Sequence, residues 1–167
     1  SHHERGRVVH QPCVMKVIVV PGSAQTSRSA IRTLLDAPSA PSVIGVYRNM
    51  SKVPDEFKNH PKFQPVPGDV SDGSTLDFSG CDAVITMTPP KLDGSDFIAF
   101  GKAVANNVRR AVERSGSVKR VVYVSSQGAQ YPEGVVSSAI YVIRGLGMLI
   151  HKINRARCVP TIIVKEF

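Results

Sequence analysis

The chain has 167 residues, 42% hydrophobic and 20% charged, with a mean hydropathy near zero; this supports one globular domain with a real core and excludes a disordered polypeptide. Its net charge of +8 attracts polyanions, yet the basic residues are dispersed, tryptophan is absent and aromatics are 6%, so the basic stripe and stacking platform of a nucleic-acid binder are missing. Cys13, Cys81 and Cys158 form no CxxC pair, which excludes a disulfide framework and a tetrahedral zinc site and makes a reducing, cytoplasmic compartment the default.

The opening segment "SHHERGRVVHQPCV" lacks the apolar core of a signal peptide and reads as a tail, Ser1 to Val14, ahead of a domain from Met15 to Phe167. Val17 to Val20 is a β-branched run that predicts a buried strand. Ser27 to Ala37 then places Ala30, Ile31, Leu34 and Leu35 on one helical face and stops at Pro38. Val43 to Tyr47 predicts a second strand, and "KFQPVPGD", Lys62 to Asp69, contains a short third. Ala83 to Thr88, closed by Pro89 and Pro90, is the fourth.

From Ser95 to Ser115, Phe97, Phe100, Val104, Val108 and Val112 recur every three or four residues, which predicts a helix with Ser95 as N-cap and Gly116 as the stop. Arg120 to Ser125 is a fifth strand and Pro160 to Val164 a sixth. The apolar region Val135 to Ile150 is interrupted by Ser137, Ser138 and Arg144 and falls short of a membrane span, so no membrane partner is expected. Short apolar strands alternating with helices predict a doubly wound α/β sheet, parallel and covered on both faces.

The turn in "VIVVPGSAQTSRSAI" is where chemistry is expected, because a strand, turn and helix start of this outline receives a pyrophosphate on backbone N–H groups. Glycines serve there because side chains obstruct the approach and a left-handed position costs other residues about 1 kcal/mol or more. Only Gly22 is present. Laying a GxxGxxG spacing on Gly22 puts Gln25 and Arg28 at the next two positions; a loop one residue shorter puts Ser27 at the third, and the sequence does not choose between them. Ser23, Thr26, Ser27 and Arg28 offer hydroxyl and guanidinium donors to phosphate, or simply cap the helix.

The order of "VIVVPGSAQTSRSAI", "VIGVYRN", "FQPVPGDVSD", "CDAVITMTPP", "VKRVVYVSSQGA" and "PTIIVKEF" resembles the NmrA-like group of atypical short-chain dehydrogenases, from Met15 to Phe167. The resemblance implies a Rossmann-type fold that binds a nicotinamide dinucleotide. Arg48 follows the second strand where an arginine pairs with the 2′-phosphate, which points to NADP over NAD. Asp69 and Val70 match the adenine-binding turn, and Thr88 and Pro89 match the segment that passes the cofactor ribose. Ser125 and Ser126 stand where such reductases carry a serine after the fifth strand, Ser126 being the candidate carried forward, and Lys152 where they carry the lysine that contacts the nicotinamide ribose.

Two departures limit the catalytic expectation. The tyrosine of a YxxxK pair is missing, because Met148 stands four residues before Lys152 and neither Tyr131 nor Tyr141 has lysine at the required spacing. The family also continues beyond the sixth strand into a substrate-binding portion, so the domain is expected to be C-terminally truncated relative to its relatives. The resemblance therefore implies an NADP(H)-binding reductase-like protein acting on a small carbonyl or quinone. A dinucleotide sensor acting through a regulatory protein partner, and a degenerate domain without cofactor, remain the alternatives. No metal site is expected.

Overall fold

The computed structural model describes residues 14–91 and 93–124. Lys16–Val20 (β1), Ser42–Tyr47 (β2), Phe63–Pro67 (β3), Ala83–Thr86 (β4) and Arg120–Tyr123 (β5) form a five-stranded sheet in the order β3-β2-β1-β4-β5, parallel at every described pair. Three α-helices connect them: Gln25–Asp36 (α1), the single turn Asp55–Lys58 (α2) and Phe97–Ser115 (α3). This is the doubly wound α/β arrangement that the alternating pattern predicts. The sixth predicted strand lies outside the described residues.

Strand β1 explains why both faces must be covered. Its successive side chains alternate between faces: Val17 and Val19 join Ile31 and Leu35 of α1 and Phe57 of α2 in one cluster, while Ile18 and Val20 join Val104, Val108 and Val112 of α3 in the other. All four β1 valines and isoleucines are buried. Main-chain bonds lock the register on both sides, with Val19 opposite Gly45 of β2 and Ile85 of β4.

The helices begin differently from the sequence expectation. α1 starts at Gln25 rather than Ser27, with Ala24 as N-cap. In α3 the cap is Asp96, whose carboxylate accepts from the N–H groups of Ile98 and Ala99; Ser95 instead donates through its N–H and hydroxyl to Asp93. Both residue types cap well, and the competition from Asp93 decides between them. Gly116 ends α3 at φ 60, the left-handed conformation that glycine adopts without a β-carbon penalty.

Gly22 has a different reason from the one its place in the turn implies. The glycines with positive φ among the described residues are Gly80, Gly94 and Gly116. At Gly22 a β-carbon would lie 2.8 Å from the Tyr47 ring and 3.1 Å from the Val46 carbonyl. Its N–H donates to Val46 O at 2.6 Å. Gly22 is thus a packing glycine that lets the turn lie flat on the end of β2.

Tyr47 is fully buried and its hydroxyl has no hydrogen-bond partner among the described residues. Burial pushes its pKa from 10.0 up to about 12, with the Arg28 charge pulling the other way. Because its folded pKa is raised, its ionisation is penalised in the fold: stability is unaffected below the unfolded value and falls as pH climbs from 10 toward 12. Tyr47→Phe removes both the unpartnered hydroxyl and this dependence. Denaturant melts are expected to show equal or higher stability at neutral pH, by up to about 1 kcal/mol, and a flatter profile in the alkaline window.

Candidate functional site

A cleft of about 460 Å³ opens at the carboxyl ends of the strands. Its position follows from topology. The chain crosses from β1 outward through β2 to β3, then returns past β1 to β4, so connections leave β1 and β4 in opposite directions and part at their carboxyl ends. Most of its lining residues belong to the loops that follow the strands.

The β1 wall holds Pro21, Ser23 and Ala24 at the amino end of α1. No side chain caps this helix and its first turn contains no acidic residue. The first N–H groups of a helix lack intrahelical acceptors and carry partial positive charge; here neither a capping oxygen nor a carboxylate neutralises them. Arg48 borders the cleft directly after β2 and is exposed. After β3 come Gly68, Asp69, Val70 and Ser71. Asp69 accepts the Ser71 N–H on Oδ1 at 2.8 Å, which fixes the carboxylate at the rim.

This turn after β3 is clamped from behind by α3. Asn107 donates to Val70 O at 2.9 Å, and Arg114 donates to Gly73 O and Leu76 O at 3.1 and 3.0 Å. Thr75 closes the turn from inside, accepting the Asp69 N–H at 2.9 Å. The fourth wall, after β4, contributes Pro89, Pro90, Lys91 and Asp93, with Phe100 of α3 beneath. The Ser95 hydroxyl and N–H, then the Lys91 charge, hold the Asp93 carboxyl below its ordinary range.

The structure thus brings Ser23, Arg48, Asp69, Val70 and Pro89 to one cleft. Other expected site residues stand apart from it. Gly22 is buried beneath the turn. Gln25 is exposed and does not line the cleft, and Thr26 follows it into the helix. Arg28 turns outward: its Nε binds Glu56 at 2.6 Å, and Arg32 reaches the same carboxylate at 2.9 Å, which ties α1 to α2. Those bonds are also why the Glu56 carboxyl is held low.

Ser27 is completely buried, its Oγ 4.0 Å from the Met87 sulfur. It therefore occupies the point where helix and sheet approach closely, the place of the last glycine in a dinucleotide fingerprint. With Ser27 there, the three-residue spacing falls on Ala24 and Pro21, and neither Gln25 nor Arg28 occupies a glycine position. Thr88 does not line the cleft; its hydroxyl lies 2.9 Å from that of Tyr123 at the end of β5. Burial raises the Tyr123 pKa, and the Thr88 bond acts against it. Ser126 and Lys152 lie outside the described residues.

Sequence reasoning missed Pro21, Ala24, Asn107, Lys91 and Tyr123. The spacing of Pro21, Ala24 and Ser27 was the available signal for the loop: small or hydrogen-poor residues recurring every third position. Nothing local marked Asn107 or Arg114, which look like the polar face of a helix until the turn folds onto them.

The family model described as NAD(P)H-binding matches residues 22–144. No curated protein matches the chain. Among solved structures, the triphenylmethane reductase of Citrobacter sp. complexed with NADP(H) is 20% identical with a TM-score of 0.60, over 83% of this chain and 46% of that one. The NADPH-dependent quinone oxidoreductase QOR2 of Escherichia coli, complexed with NADPH, is 18% identical with a TM-score of 0.59, over 80% and 45%. An apo SCOR enzyme from Clostridium thermocellum is 13% identical with a TM-score of 0.66, over 92% and 70%. The chain spans less than half the length of the first two. At such identities the likeness is one of fold.

The clamp from α3 gives a direct test of how the cleft is held. Asn107→Ala leaves Val70 O without its partly buried donor and is expected to cost about 1–2 kcal/mol in chemical denaturation. Amide exchange should quicken in the turn after β3 while β1 stays protected.

Proposed function

The chain belongs to the NAD(P)H-binding family, and on that premise we propose that its cleft holds NADP(H) as part of an atypical, NmrA-like short-chain reductase. The observation that carries this reading is the convergence of Ser23 and Ala24, Arg48 and Asp69 on one crevice from three different strand ends. Each supplies what one part of the dinucleotide needs. The uncapped first turn of α1 receives the diphosphate. Arg48, unpaired in any salt bridge recorded among the described residues, supplies a guanidinium fork for a 2′-phosphate. Asp69 accepts from the adenine amino group.

These residues fit the cofactor chemically, because no carboxylate stands in the first turn of α1 to repel a diphosphate. The opening helix is also reached by a turn pressed close to the sheet at Gly22. When bound, the nicotinamide supplies a hydride to an acceptor of the small carbonyl or quinone class. This chain's contribution is to bind and orient: α1 and Arg48 hold the anionic groups, and the clamped turn after β3 sets the adenine end. The NADP(H) and NADPH complexes of the two reductases named above support the choice of cofactor and reaction class. A cytoplasmic setting agrees with cofactor chemistry of this kind.

One observation favours a second reading, a dinucleotide sensor that acts through a protein partner. Met148 stands four residues before Lys152, and a thioether cannot exchange a proton. Oxidation of NADPH in the presence of a carbonyl and quinone panel separates the two. Turnover abolished by changes in the cleft supports the reductase, whereas tight binding without turnover supports the sensor.

The cofactor choice rests on Arg48. Arg48→Ala is expected to weaken NADPH binding by roughly tenfold or more, as loss of a charge-assisted pair to phosphate does, and to leave NADH within about twofold of the unaltered chain. Isothermal titration of both nucleotides measures it; equal weakening of the two removes the 2′-phosphate assignment.

A further inference from the structure

The loop after β1 offers a dinucleotide fewer backbone donors than its outline implies. Pro21 has no N–H, and the Gly22 N–H is spent on Val46 O at 2.6 Å. A cofactor diphosphate in this cleft therefore has the first turn of α1 but little of the loop to bind it, and gains from positive charge on another wall. The wall after β4 carries it. Lys91 lines the cleft, its ammonium 3.7 Å from Asp93 Oδ2 and 4.7 Å from the centroid of the Phe100 ring.

All three of these residues border the same cavity, so Lys91 is paired within the site itself. The pairing is loose. At 3.7 Å the two charges attract without a close hydrogen bond, and both side chains are partly solvated, at 32% and 60% exposure; such pairs are strongly screened. The Phe100 ring stabilises the ammonium through its negative face and gives the alkyl stem an apolar rest. A doubly charged diphosphate entering the cleft presents a stronger acceptor than a single solvated carboxylate.

We propose that Lys91 is the diphosphate-binding cation of this cleft, held on Asp93 and Phe100 when no ligand is present and transferred to the cofactor's phosphates on binding. This rests on the dinucleotide reading above. Lys91 does on the β4 side what glycine-freed N–H groups do elsewhere on the β1 side, and Asp93 competes with the ligand for it. The assignment differs from that of Arg48 in what it reads: Lys91 recognises phosphates common to NADPH, NADH and ADP, whereas Arg48 recognises one that only NADPH carries.

The test is calorimetric titration of the full chain with NADPH, NADH, ADP and adenosine, at two salt concentrations. Lys91→Gln is expected to weaken NADPH, NADH and ADP alike by roughly tenfold and to leave adenosine unchanged. It should also lower the salt dependence of ADP binding. Lys91→Arg should retain affinity, and Asp93→Asn should tighten ADP by a few-fold because the competing carboxylate is gone. Circular dichroism of each variant checks the fold, which neither solvated side chain is expected to disturb. An unchanged ADP affinity in Lys91→Gln, a loss confined to NADPH, or an equal loss for adenosine overturns the proposal while leaving the dinucleotide reading in place. Failure of the unaltered chain to bind any of the nucleotides overturns both.

Discussion

Strand β1 is hydrogen-bonded on both edges and buried on both faces, and the rest of the molecule is arranged by that double confinement. A parallel strand cannot return to its neighbour by a tight turn, so each connection must cross one face of the sheet. The crossover through α1 covers the face of Val17 and Val19, and α3 covers the face of Ile18 and Val20. Because these crossovers diverge from β1 and β4, the loops following the two strands separate and leave a crevice between them. The cleft is a consequence of sheet topology before any residue in it is chosen.

Beneath that crevice the chain packs closely through unusual residues. Gly22, the lone glycine of the first turn, serves the fold by clearing space for the Tyr47 ring. Ser27 is fully buried on the inner face of α1, and Ala24 leaves the helix end uncapped. The amino end of α1 is consequently open, while the loop before it is poor in donors because Pro21 lacks an N–H and that of Gly22 is spent on Val46 O, which gives side chains from other strands a larger share in holding an anion. Behind the turn after β3, Asn107 and Arg114 of α3 fix the opposite rim by three hydrogen bonds to backbone carbonyls. The helix that completes the core thereby also shapes the site.

The net charge of +8 bears little on this arrangement. Several cations away from the cleft make local ties: Arg28 and Arg32 join Glu56, Lys119 lies near Asp82, and Arg114 holds backbone oxygens. What matters at the cleft is the placement of two cations, Arg48 and Lys91, against two carboxylates, Asp69 and Asp93. Charge balance there is close to even, so specificity comes from geometry rather than from a broad attractive field.

The alternation of β-branched runs with three-to-four-residue apolar spacing was enough to specify the doubly wound sheet, because burial on two faces demands continuous apolar strands and one-sided helices. Strand ends could be located from the same pattern, and ligands lie at strand ends; it was the family resemblance that singled out Arg48, Asp69, Val70 and Pro89 there, and all four line the cleft. The glycine register was not legible, because polar residues at the start of a helix look alike until the helix is rotated onto the sheet. Burial of Ser27, Ile31 and Leu35 on one face sets that rotation, and it turns Arg28 outward to Glu56. The Asp96 cap, the Asn107 clamp and the placing of Lys91 beside Phe100 join residues whose relation is fixed only when separate elements pack. The sequence by itself determined which segments must be buried; the tertiary structure decided which polar groups face one another, since hydrogen bonds and ion pairs depend on distances that hydrophobic periodicity does not encode.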